Sequence, residues 1–128
     1  MGHAIGFWCA FAATVLLLVV SLVAGLRRRR RLHLVTGPLT LAMLAVTVAA
    51  TKGLIANYSF PPDDLRFHLR FAITAGASAL PVAATGIWLW RQPRARRWHR
   101  LAVWTFVVLT VVATCTGIWL FGRATLKG

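Results

Sequence analysis

Acidic residues are nearly missing from this 128-residue chain: Asp63 and Asp64 are the only two, against fifteen lysines and arginines. Neither falls inside an apolar run, so a proton-coupled transporter built on a membrane-embedded carboxylate has no candidate residue. That argues against small multidrug exporters of similar length. Charge of either sign is scarce as well, at 13%, where a soluble domain carries about 25%. The two cysteines, Cys9 and Cys115, have no zinc-type spacing, and no glycine-rich phosphate loop is present. Both cysteines lie within apolar runs, about 10 Å from the run's end along a helix. A disulfide between them is geometrically possible, but buried free thiols acting as small apolar residues are the simpler expectation.

What fills the chain instead is hydrocarbon. Residues 4–26, 34–51, 71–90 and 101–122 carry no charge, 59% of the sequence is hydrophobic, and the mean hydropathy is +0.71. Each run is about the 20 residues that cross a core of roughly 30 Å. The sequence therefore predicts an all-α integral membrane protein, a single domain with four spans at about 4–26, 33–56, 66–90 and 99–122. A cleaved signal peptide is a poor fit, because "MGHAIG" is neutral and the basic run "RRRRR" follows the apolar stretch rather than preceding it. The same start lacks the hydroxyl residue that a myristoylation signal requires. Nucleic acid is not expected as a partner, since the basic residues gather at span ends, where they serve as topology signals.

Counting those residues sets an orientation. Arg27 to Arg31, with Arg91, Arg94, Arg96, Arg97 and Arg100, put ten cations in the first and third loops. Lys52, Arg66, Arg70, Arg123 and Lys127 put five on the other side, with both aspartates. The Arg-rich loops are expected in the cytoplasm and both termini outside, in an up-down-up-down four-helix bundle. A bacterial inner membrane is the expected location. In the middle loop, "YSFPPDD", Ser59 is a candidate cap, and the prolines and aspartates suit the first turn of the third helix. Pro38 and Pro81 are candidate kinks that open space. The six tryptophans fall mostly near span ends, as an interfacial belt would.

A repeat carries the functional signal. "TGIWLW" at 85–90 returns as "TGIWLF" at 116–121, and a histidine, His68 or His99, precedes each threonine by seventeen residues. The glycines Gly86 and Gly117 are one residue further on, and eighteen residues make five helical turns, so His and Gly share a face about 27 Å apart. "RLH" at 31–33 echoes the frame, with Thr51 eighteen residues on; His3 opens the first helix, with Ser21 eighteen residues on. Each helix thus begins with one histidine. Helix direction places His3 and His68 at external depth and His33 and His99 at cytoplasmic depth. Two facing histidines are the axial set of a low-spin haem b, which needs small residues where the macrocycle meets backbone. For Gly86 and Gly117, close helix packing is the plainer reading. Haem propionates call for cations, and Arg31, Arg66, Arg70, Arg97 and Arg100 flank the histidines with forks suited to carboxylates. Lys52 most simply snorkels to its own surface; as a functional group it would meet a propionate or an anionic substrate.

"RWHRLAVWTFVVLTVVATCTGIWLF" (97–121) resembles the helices of the cytochrome b561-like superfamily of membrane haem proteins, and the histidine intervals of 30, 35 and 31 extend the likeness over nearly the whole chain. The resemblance implies one haem b on each side of the membrane, held by His33 with His99 and by His3 with His68. It implies electron transfer, linked to quinol, by a cytochrome acting alone or as a subunit. A looser resemblance joins the chain to small four-span proteins of cytochrome oxidase assembly. The alternative function is a cofactor-free accessory subunit of a larger respiratory or photosynthetic complex.

Overall fold

The computed structural model describes residues 2–127, with side chains from Ala4 onward. Four long helices make up nearly all of it: α1 (Gly2–Leu26), α2 (Arg30–Asn57), α3 (Pro62–Arg91) and α4 (Arg96–Phe121). Two-residue strands, β1 (Tyr58–Ser59) and β2 (Thr125–Leu126), and a single 3₁₀ turn at Pro93–Ala95 complete the described elements. At about 1.5 Å per residue, helices of 25 to 30 residues reach roughly 37–45 Å. All four are long and apolar enough to cross a membrane, so the chain is a multi-pass membrane protein. It divides into two compact units, one built on α1 and α2 and the other on α3 and α4.

In the first unit α1 packs against α2 through small and hydroxylated residues. Ala10 and Ala24 are buried there, and so are Thr14, Ser21, Thr36, Thr40 and Thr47. Thr14 Oγ1 and Thr47 Oγ1 lie 2.8 Å apart across the interface, while Thr14 reaches the Ala10 carbonyl and Thr47 that of Met43. Two hydroxyl hydrogens serve three contacts, so a bond across the pair takes its hydrogen from one of the two helix carbonyls. Small side chains and hydroxyl bridges are how apolar helices adhere where lipid removes the hydrophobic driving force.

The turn between these helices has an unusual occupant. Arg28 has φ 55°, the left-handed conformation that glycine usually supplies at a helix C-terminus. Its N–H bonds the Gly25 carbonyl at 3.2 Å, and the Arg29 N–H bonds the Ala24 carbonyl at 2.8 Å. That is the Schellman pattern, closed here by an arginine.

In the second unit α3 and α4 run antiparallel. Pro62 and the two aspartates occupy the first turn of α3, as expected, but the N-cap is Pro61 and no side chain caps the helix. Ser59 is in β1 instead. Asp64 accepts a 2.8 Å bond from Arg123 beyond the end of α4, and that guanidinium also sits 5.0 Å from the Trp119 ring. Near the opposite end of the pair, a groove of about 280 Å³ opens beside Pro81 between Ser78, Thr85, Trp98, Leu101, Ala102 and Thr105. All six tryptophans are exposed, from 38% at Trp8 to 70% at Trp90, as residues facing the membrane boundary would be. Both cysteines are free. They are exposed on helix surfaces and not buried as the sequence suggested, because small side chains elsewhere already fill the helix contacts.

Candidate functional site

The repeated frame becomes a contact between neighbours. His68, near the start of α3, lies against the Thr116–Gly117 step near the end of α4. Its Nδ1 is 3.0 Å from Thr116 Oγ1, and a Cβ built on Gly117 would stand only 3.1 Å from its Cε1. His99, near the start of α4, lies in the same way against Thr85–Gly86 of α3, with Nδ1 3.1 Å from Thr85 Oγ1 and Cε1 3.4 Å from a Cβ at Gly86. Histidine and glycine of one helix share a face, and that face meets the other helix of the pair. An antiparallel pair with one His-to-Gly spacing is self-complementary, so each imidazole lands on its neighbour's glycine.

The first unit holds a variant of this clasp. His33 of α2 directs Nδ1 to the Ser21 carbonyl of α1 at 2.9 Å, with Ser21 Oγ at 3.3 Å. Gly25, one turn further along α1, takes the place of Gly86 or Gly117: a Cβ there would meet His33 Nδ1 at 3.4 Å. The absent side chain is what lets an imidazole reach a carbonyl inside the helix. His3 lies outside the residues whose side chains are described, so any matching clasp on α2 does too.

These contacts fix a tautomer. A carbonyl only accepts, so His33 must carry its proton on Nδ1 to bond Ser21. Thr116 Oγ1 also contacts the Val112 and Ala113 carbonyls, each at 3.0 Å, and Thr85 Oγ1 contacts that of Pro81 at 2.6 Å. A hydroxyl has one hydrogen. If it serves the carbonyl, its lone pair accepts from the imidazole, and only a protonated Nδ1 satisfies both contacts. The same arrangement, a proton on Nδ1 facing an oxygen of the neighbouring helix, therefore satisfies the contacts of all three described histidines, and in the neutral ring it leaves the lone pair on Nε2. At His99 the Nε2 atom lies beyond 4 Å from the Gly86 Cβ position, turned away from that contact.

The remaining expected site residues are cations, and all are exposed. None of the side chains of Arg31, Arg66, Arg70, Arg97, Arg100 and Lys52 has a hydrogen bond or ion pair among the described residues. The space at Gly86 and Gly117, which the haem reading gave to a macrocycle, is taken by imidazole edges. Ser21, Gly25, Thr85 and Thr116 are the partners the sequence did not assign. For the threonines the signal was present, since they stand inside the repeat itself. Among the described residues no three His, Cys, Asp or Glu side chains gather, so a centre with three or four protein ligands, of the zinc type, has no donor set there. Haem asks only for imidazoles. No protein-family model, curated protein or solved structure matches the chain.

Proposed function

We propose that this protein is a membrane haem b cytochrome of the cytochrome b561-like kind, moving electrons within or across the bilayer, with quinol as the linked redox partner. One observation carries the reading: Nδ1 of His33, His68 and His99 each contacts an oxygen on the neighbouring helix, and a ring that donates Nδ1–H there keeps the lone pair on Nε2 when neutral. That is the tautomer an iron ligand needs, and a fixed acceptor on the other ring nitrogen is the usual support behind a ligating histidine. The Thr-Gly step orients the ring in this scheme: the threonine oxygen accepts from Nδ1–H, and glycine clears the approach. When bound, haem supplies one-electron chemistry, while the protein sets ligand basicity and access. The unpaired arginines and Lys52 fit anionic propionates at the membrane surface. In this reading the helices alternate up and down, with both termini outside and the Arg-rich loops in the cytoplasm of a bacterial inner membrane.

The test is an absorption spectrum of protein purified from haem-replete cells, oxidised and then reduced with dithionite. Sharp reduced α and Soret bands of a low-spin haem b are expected, and alanine at His33, His68 or His99 removes haem measured as pyridine haemochrome. If ligands pair by helix direction, His33→Ala and His99→Ala lose the same haem. A folded, colourless protein refutes the reading. It would leave a cofactor-free subunit of a larger complex, which one observation favours: each ring seated on glycine holds its helix pair together without any cofactor.

A further inference from the structure

The five consecutive arginines at 27–31 have no counter-charge among the described residues. Asp64 is bonded to Arg123, and Asp63 sits beside it at the start of α3. None of Arg27 to Arg31 has an ion pair or hydrogen-bonded side chain among the described residues, and all are exposed. Directly beneath them lies a groove of about 190 Å³, lined by Val19, Val20, Val23 and Ala24 of α1, Leu32 of α2, and Arg27 and Arg29 at its mouth. Val19 and Val23 of α1 and Arg27 just past its end, whose N–H bonds the Val23 carbonyl, follow one another at four-residue steps, so floor and charge lie in one line about 12 Å long. The floor is open: Val19 is 52% exposed, Val23 40% and Leu32 42%.

We infer that this groove binds one anionic phospholipid, with the phosphate between Arg27 and Arg29 and an acyl chain along Val19, Val20 and Val23. Charge complementarity and size both point to that occupant. Guanidinium forks hold phosphate oxygens in pairs, and basic residues at a membrane boundary draw acidic lipid. The space equals roughly six water molecules, enough for a stretch of hydrocarbon chain and far too narrow for a helix about 10 Å across. Ordinary topology signalling accounts for arginines at a span end, but not for an apolar channel leading into them. The Schellman turn helps, because Arg28 in the left-handed conformation reverses the chain and brings Arg27 and Arg29 to one mouth.

The test needs no cofactor, so it stands or falls separately from the haem proposal. The full-length protein is placed in nanodiscs of equal phosphatidylglycerol and phosphatidylcholine, then extracted gently for native mass spectrometry. One retained phosphatidylglycerol per chain is expected. Replacing both Arg27 and Arg29 by glutamine should lower its retention about 25-fold, taking about fivefold per arginine. The control Arg94→Gln/Arg96→Gln should leave it unchanged, and Val19→Trp, which fills the channel but spares the charges, should displace it. Equal retention of phosphatidylcholine, or equal loss in the control pair, overturns the proposal in favour of diffuse attraction. Displacement of the lipid by a soluble acidic peptide such as polyglutamate overturns it in favour of a protein partner.

Discussion

The imidazole–threonine contacts make predictions that separate packing from ligation. Removing the hydroxyl in Thr116→Val leaves the His68 Nδ1–H without its acceptor, at a cost of about 1–3 kcal/mol, while Thr116→Ser keeps the bond and most of the stability. Thermal unfolding in detergent reads both. If His68 is also an iron ligand, losing that bond lowers imidazole basicity, so the valine variant shifts the haem midpoint potential upward and the serine variant does not. A purely structural clasp moves the melting curve alone. The glycines differ by a few tenths of an ångström, which decides a sign. In a helix, alanine is favoured over glycine by about 1 kcal/mol, and at Gly76 a Cβ meets nothing within 4 Å. Gly76→Ala should therefore stabilise. At Gly86 the contact is 3.4 Å and the gain survives in part; at Gly117 it is 3.1 Å, the ring must give way, and overpacking costs about 1–3 kcal/mol. The order Gly76→Ala above Gly86→Ala above Gly117→Ala in melting temperature is expected, and a reversed order of the last two rejects the seating of His68 on Gly117.

Among the elements, the α1–α2 turn holds the clearest departure from what composition favours. A non-glycine residue in the left-handed region costs roughly 1–2 kcal/mol, so Arg28→Gly should stabilise the protein by about 1 kcal/mol, read as a higher unfolding temperature. A destabilised variant would mean that the Arg28 side chain holds the turn through a contact of its own. The helices themselves were legible in the sequence, because uncharged runs of 18–23 residues with basic residues gathered at their ends leave little choice of element or period. Boundaries were less so: α3 begins at Pro62 and α4 at Arg96, nine and five residues before the uncharged runs that start at 71 and 101, since charged residues extend a helix into the interface at no cost in burial. The candidate site was half legible. Periodicity placed His68 with Gly86 on one face of α3, and His99 with Gly117 on one face of α4. What each face meets depends on how two helices rotate about their axes, and one helix's sequence does not encode that. Gly25 was out of reach for the same reason, since only the approach of His33 from α2 gives it a role.

For the molecule as a whole, the same residue type has two uses that call for different measurements. Arginine counts predict an orientation: with ten cations in the first and third loops against five elsewhere, those loops are expected in the cytoplasm. Fusing a reporter that fluoresces only in the cytoplasm after Arg29 and after Arg94 should give signal, and fusing it after Asn57 or at the C-terminus should give none. The rule responds to the count of basic residues near span ends and not to their positions, so moving charge is the sharper test. Replacing Arg27 to Arg31 by glutamine brings the balance to five against five, and mixed orientation is expected. Adding three lysines within the 57–61 loop of that variant should then invert it. The groove proposal makes a different demand of the same segment, because only Arg27 and Arg29 stand at its mouth. A variant with Arg28, Arg30 and Arg31 neutralised keeps seven cations against five; it should hold its orientation and retain its lipid. If it loses the lipid while staying correctly oriented, the phosphate is held by the charge of the whole run, and the groove does not select it.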